Sequence, residues 1–396
     1  MYRHLSLIGF FISLGVGCGS GPDQHGPPPI KVGAIFALTG PTSDVGTTYA
    51  EGLRGYIEWA NQNGGVEGRP LELIYQDYGY KVDQAELLYT QFVQEGALVF
   101  QGWGTGDTEA LRGRIADDKI PFMSASYSYV LGNPDQAPYN FLVGTTYSEQ
   151  FFIVLDWILE NHKGPEAPSV ALMHHPSPFG LSPFEQGGKD YAASKGVKLT
   201  AHEMSRGATD YTAELTKIRE EGIQYVVFQN TSGPVSLVLK NARRLGLDID
   251  FLCLNWCTNE LLTELAPEAS EGVVGSMLFS PPGPGIEGLK DAEAYLDSRG
   301  EFLEEKGSVY GQGWWTMAVM IEGIRRVVAE GKELTGENIK AALESITDLD
   351  TGGVTFPITF TAQDHRGSKG MKLFRVENGK WQPLTDFRTS DYAPTQ

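Results

Sequence analysis

The stretch VFQGWGTGDTEALR, residues 99–112, is the part of the chain whose spacing most suggests ligand chemistry. An apolar run at 97–100 reads as a buried strand, Gly102, Gly104 and Gly106 alternate behind it, and a helix is expected from Thr108. A dinucleotide fingerprint needs a third glycine where Asp107 stands, and a P-loop needs Gly-Lys-Ser/Thr, which is absent. Asp107 would also repel phosphate, which argues against nucleotide binding. What remains is a strand end, a glycine turn and a helix N-terminus. Unpaired N–H groups at the positive end of a helix dipole suit a carboxylate or another small acceptor. Asp107 also suits capping of its own helix.

No other constellation reads as catalytic. His174 and His175 end a strand and point to opposite faces, so they do not chelate together. Glu220-Glu221 closes a solvated helix, and Gly-x-Ser-x-Gly and His-Glu-x-x-His are absent. The sequence therefore reads as a binding protein with no catalytic residue, no metal site and no cofactor. CLNWC (253–257) lacks a second Cys/His pair for zinc; Cys253 and Cys257 are either a disulfide or two half-buried thiols at a strand end.

Strand-like runs alternate with amphipathic helical stretches from residue 30 to about 255, in two series of roughly a hundred residues each. Such alternation builds parallel sheets covered on both faces, here an α/β protein of two lobes. In open α/β sheets, ligands bind beyond the carboxyl ends of the strands. Trp103 and Thr105, then Ser126, Tyr127 and Ser128 fall there in the first series. Phe179, then Asn230, Thr231 and Ser232, then Asn255 and Trp256 do so in the second. The last third is different: two helical stretches precede MKLFRVENGKWQPL, which reads as a hairpin turning at Asn378-Gly379.

With 396 residues, 41% hydrophobic and 20% charged, the chain is a soluble globular protein of more than one domain. A net charge of −19 argues against nucleic acid, which needs clustered Lys and Arg. Residues 1–17 carry Arg3 and an apolar stretch, Leu5 to Leu14, too short to span a bilayer, and fit an export signal. Cys18 after Gly-Val-Gly resembles the lipobox of bacterial lipoproteins, although Gly15 stands where leucine is usual. Lipidation of Cys18 and cleavage elsewhere are the two readings. The Gly/Pro-rich 18–29 segment is a tether.

IKVGAIFALTGP, WANQNGGVEGRPLELIYQD and IPFMSAS resemble the first lobe of the periplasmic leucine/isoleucine/valine-binding protein family, the substrate-binding components of branched-chain-amino-acid-type ABC importers. FGLSPFEQGGKDYAASKGVKL, DYTAELTKIREEGIQYVVFQN and LKNARRLGLDIDFL resemble its second lobe. The resemblance covers roughly residues 30–385. It implies the type I periplasmic binding protein fold, two Rossmann-like lobes joined by three crossovers near Gly144, Phe279 and Pro357. Lobe one would hold 30–144 and 280–357, lobe two 145–279 and 358–396. It also implies a monomer outside the cytoplasm, periplasmic or at the cell surface, that closes on a small ligand and docks on an ABC permease in the inner membrane. A ligand-sensing receptor of the same fold is the alternative.

Carried over residue by residue, the family's carboxylate loops fall on Thr105-Gly106-Asp107 and Ser126-Tyr127-Ser128. Gly106 stands where a hydroxyl residue is common. Phe179 matches the aromatic of lobe two. The family's second aromatic falls near Thr231, and its ammonium-holding acid falls near Asn255, which is neutral. Loss of one partner of a buried charge pair costs about 2–5 kcal/mol. Unless Asp107 or Glu260 compensates, an aromatic or apolar carboxylate or amide fits better than leucine. Trp103, Tyr127, Phe179 and Trp256 would form its slot, with Trp314-Trp315 approaching from lobe one or lying in its core.

Overall fold

The computed structural model describes residues 27–392; the signal segment, Cys18 and most of the tether lie outside the described residues. Among these, the first strands are β1 (Ile30–Phe36), β2 (Leu71–Asp77), β3 (Val99–Gly102), β4 (Phe122–Ser124) and β5 (Asn140–Phe141). They pair in the order β2-β1-β3-β4-β5, all parallel. Helices α1 (Ser43–Gln62), α2 (Val82–Gln94) and α3 (Thr105–Asp118) make the crossovers. β1 is an almost unbroken apolar run because both faces of the sheet are covered, and Val32, Ala34 and Ile35 are fully buried.

The chain then enters lobe two through α4 (Tyr147–Asn161). There follow β6 (Ser169–His174), α5 (Pro178–Pro183), α6 (Lys189–Ser194), β7 (Lys198–Glu203), α7 (Thr212–Glu220), β8 (Tyr225–Gln229) and α8 (Ser232–Arg244). β9 (Asp250–Cys253), α9 (Glu260–Leu265) and β10 (Val274–Met277) complete this series. α10 (Lys290–Asp297), α11 (Leu303–Ala329) and α12 (Gly336–Glu344) return to lobe one, where α11 packs along α1. Finally β11 (Gly370–Glu377), β12 (Lys380–Pro383) and β13 (Arg388–Thr389) close the second sheet, ordered β12-β11-β10-β9-β8-β6-β7 with β13 beside β11. The β10–β11 and β11–β12 pairs are antiparallel, and the hairpin turns at Asn378 (φ 53°) and Gly379 (φ 72°), as the sequence signals.

α1 and α11 touch backbone to backbone. A Cβ on Gly52 would stand 2.0 Å from the Tyr310 carbonyl oxygen, and one on Gly313 2.0 Å from that of Tyr49. The connecting segments run side by side at the hinge. Gly367 N–H donates to Leu142 O (2.8 Å), Ser368 N–H to Val143 O (3.1 Å) and Ser280 N–H to Val354 O (2.6 Å). From there the chain enters the second sheet with β11 at Gly370.

One expectation is corrected and one open alternative is decided. α3 starts at Thr105 rather than Thr108, because the Asp107 carboxylate turns back to accept the Gly104 N–H (3.2 Å) and closes the first turn. Cys253 and Cys257 are free buried thiols rather than a disulfide. Cys257 Sγ donates to Leu254 O (3.5 Å). Burial pushes the Cys253 thiol well up, which disfavours the thiolate that disulfide exchange requires.

Candidate ligand-binding site

Between the lobes lies a cleft lined by Thr42, Tyr80, Trp103, Gly104 and Thr105 from lobe one and by Tyr147, Phe179, Thr231 and Trp256 from lobe two. Four of these residues mark helix starts. Thr42, Gly104 and Thr231 immediately precede α1, α3 and α8, and Tyr147 opens α4. The positive ends of four helices therefore face one small volume, a field that favours an anion or the negative end of a dipole. No Asp or Glu is among the lining residues.

Aromatic rings fill the space between those helix ends. Trp103 and Trp256 meet across the lobes with ring centroids 4.8 Å apart, and Tyr49 packs edge-on to both at 5.3 and 6.1 Å. Tyr127 stacks behind Trp256 at 6.2 Å, and Tyr147 stands edge-on to Phe179 at 5.5 Å. Trp103 Nε1 donates to Thr42 Oγ1 (2.9 Å) and Trp256 Nε1 to Tyr147 OH (2.9 Å), which fixes both indoles. The cavity left among them is about 10 Å³, the room one water needs. A larger solute is seated only as the lobes part and these rings move.

Of the residues expected at the site, the structure brings together Trp103, Thr105, Phe179, Thr231 and Trp256. The others stand behind or beside them. Gly106 faces the rim, where its nearest neighbour across the cleft is Pro178. Asp107 points away, accepting from Tyr78 OH (3.0 Å) and Gly104 N–H, and burial pushes its carboxyl up to about 6. Ser126 Oγ lies 2.7 Å from Thr105 Oγ1. The Tyr127 hydroxyl accepts from Gln312 Nε2 (2.6 Å), and Ser128 Oγ is bonded to Glu109 (2.6 Å). Asn255 N–H donates to Gln150 Oε1 (3.1 Å), while its Nδ2 is buried without a partner.

Neither proposed substitute acid reaches the cavity. Glu260 accepts from the N–H (3.0 Å) and hydroxyl (2.9 Å) of Ser308 at the outer edge of the lobe interface. Trp314 belongs to the lobe-one core, against Tyr56, Trp59 and Tyr295, and Trp315 Nε1 donates to Gly288 O (3.0 Å). His174 Nδ1 lies 3.0 Å from the His175 carbonyl oxygen, while His175 Nδ1 lies 2.7 Å from Ser177 Oγ and its Nε2 is buried without a partner. Burial and the nearby Arg206 hold that imidazole down at about 4, so it is neutral.

Thr42, Tyr80 and Tyr147 were not singled out from the sequence. Thr42 and Tyr80 follow the ends of β1 and β2, so the rule that found Trp103 applies to them equally. Tyr147 also follows a strand, but β5 is only two residues long, too short a run to be read from the sequence, so the rule does not flag it.

Two sheets built mainly of parallel strands, a hinge of three passages and a cleft at the strand ends define a bilobed solute-binding protein. The chain belongs to the periplasmic binding protein family, whose model matches residues 29–380. It is similar to the leucine-, isoleucine-, valine-, threonine- and alanine-binding protein of Pseudomonas aeruginosa, 24% identical over 261 residues. That match covers 63% of this chain and 66% of the relative. Among solved structures, a branched-chain amino acid ABC transporter protein from Thermus thermophilus with bound valine superposes with a TM-score of 0.87. It is 29% identical, over 92% of this chain and 97% of the other. An ABC transporter substrate-binding protein from Aeropyrum pernix gives 0.82 at 27% identity, covering 92% and 97%.

Proposed function

We propose that this protein captures a small apolar solute bearing a carboxylate or amide and delivers it to an ABC permease in the inner membrane. One observation carries the reading: four helix starts and a cross-lobe aromatic pair converge on a cleft lined by no acid. The helix ends suit the solute's oxygen atoms, and Trp103 and Trp256 suit a flat or branched apolar body. Family membership supports an extracytoplasmic location, and the lipobox-like start supports anchoring through Cys18. The protein acts as a monomer, and closing of the lobes presents a joint surface to the permease. An α-amino acid is the second reading, favoured by the valine bound to the Thermus relative. Its ammonium would need a partner other than the cavity walls.

Thermal unfolding of the ligand-free protein against a panel tests this. The panel holds valine, leucine, phenylalanine, benzoate, phenylacetate, short amides and urea. A ligand at 100 times its Kd adds about 2.7 kcal/mol, a shift of a few degrees. Shifts with the acids or amides and none with the amino acids are expected. The largest shift with valine or leucine would overturn the preference, and none with any member would leave the transport role without support.

A further inference from the structure

The helical stretch Pro178–Ser194 breaks in the middle. Gln186 (φ −95°, ψ 52°) and Gly187 (φ 106°) leave helical geometry, and the Gln186 carbonyl is held on α4 by Ser148 Oγ (2.8 Å). This break aims the Gln186 side chain across the cleft mouth at lobe one. Its Oε1 accepts from Tyr129 N–H (2.8 Å) and from Ser182 Oγ (3.1 Å). Its Nε2 donates to Ser128 Oγ (2.9 Å) and to Glu109 Oε1 (3.4 Å). Ser128 in turn donates to Glu109 (2.6 Å), so the amide completes a network rooted in α3 and the loop after β4. Neither Gln186 nor its partners line the cavity.

We infer that Gln186 is a closing latch, a positioning residue that joins the lips of the two lobes without touching the solute. The Ser128 hydroxyl then belongs to the latch rather than to the carboxylate site. Three of the bonds made by this amide cross between lobes, and all are lost when the lobes part. Because they do not pass through the solute, they bias the open–closed equilibrium by themselves, and any solute closes a cleft already partly drawn together. A neutral amide suits the position: a carboxylate there would face Glu109, and a lysine would lose the Tyr129 N–H.

The test needs no solute, so its failure is separate from failure of the transport reading. Single-molecule energy transfer between dyes on the two lobes of the ligand-free protein reports the closed fraction. Gln186→Ala is expected to lower the closed-to-open ratio about tenfold, the effect of one to two net hydrogen bonds. Gln186→Glu, of equal size, is expected to open the lobes as much. Ser128→Ala, made on the opposite lobe, is expected to open them less, and the double variant to open them no further than Gln186→Ala. An unchanged closed fraction in Gln186→Ala, or effects of the two alanine variants that simply add, would overturn the latch. Should Gln186→Ala fail to fold, Ser128→Ala and Gln186→Glu decide the question.

Discussion

The threonines that line the cleft stand in opposite conditions on the two lobes. On lobe one Thr42 is held by Trp103 and Thr105 by Ser126, while Asp44 Oδ1 and Tyr49 OH elsewhere in that lobe are buried without partners. On lobe two the Thr231 hydroxyl and the Asn255 amide are buried without partners, and the wall is largely aromatic. Lobe one is thus a fixed platform whose free donors are the backbone N–H groups at the start of α3. Lobe two carries the side-chain groups still open to a solute. A hydroxyl in a cleft loop is evidence of ligand contact only when nothing else in the loop has engaged it.

The comparison breaks most visibly at the indoles. Trp256→Ala is expected to cost about 3–5 kcal/mol in urea unfolding, since the ring touches Trp103, Tyr49 and Tyr127 and its loss opens a cavity. Trp103→Ala is expected to cost as much, because the pair is one core across two lobes. A clearly smaller cost would show that each lobe carries its own wall.

Asp107 gives the next effect, and it is specific to lobe one. Its carboxyl rises from 3.8 to about 6 on burial, so the folded state binds more protons than the unfolded one between those values. The stability this confers is complete below about pH 4 and is lost as pH rises through about 6, an upper bound of about 3 kcal/mol. Asp107→Asn is expected to flatten that part of the stability–pH curve, measured by urea midpoints from pH 3.5 to 7.5. An unchanged slope would locate the proton elsewhere.

Paired hydroxyl removals sharpen the contrast between lobes. Thr105→Val removes the shorter of two hydrogen bonds at Ser126 Oγ, the other coming from Ser128 N–H, and is expected to cost about 1 kcal/mol. Thr231→Val removes a hydroxyl that makes no ordinary hydrogen bond and only helps the buried Asp44 carboxyl, and is expected to change stability by less than about 1 kcal/mol. Equal costs would erase the distinction drawn above. The smallest effect is none: dithiothreitol is expected to leave the unfolding midpoint where it is, because Cys253 and Cys257 are thiols. A drop in midpoint would reveal a bond between them.

Much of the fold is legible because its signals are local. Alternating apolar runs and amphipathic stretches mark the strands and helices of both series, and Asn378-Gly379 marks the last hairpin. The start of α3 is misread by three residues because Asp107 caps the helix from inside its first turn, reaching back to Gly104, so the helix begins within the glycine run and not after it. At the site, position after a strand finds Trp103, Thr105, Phe179, Thr231 and Trp256. It does not separate them from Ser126, Ser128 and Tyr127, whose side chains are engaged by Thr105, by Glu109 and Gln186, and by Gln312. Those partners lie from about twenty to nearly two hundred residues away, so no local pattern encodes them. Trp314-Trp315 was ambiguous for the same reason: which face of a long helix meets α1 is decided by Gly52 and Gly313, far apart in the chain.

That glycine-mediated contact also governs the order of events during synthesis. α1 is made early, yet the helix that covers it, α11, emerges only after all of β6 to β10. The second sheet likewise waits for β11, the strand that flanks β10, until the chain is nearly finished. Lobe one cannot bury its full apolar surface before most of lobe two has been made, and lobe two waits for the last strands, so the protein is committed to late, long-range assembly.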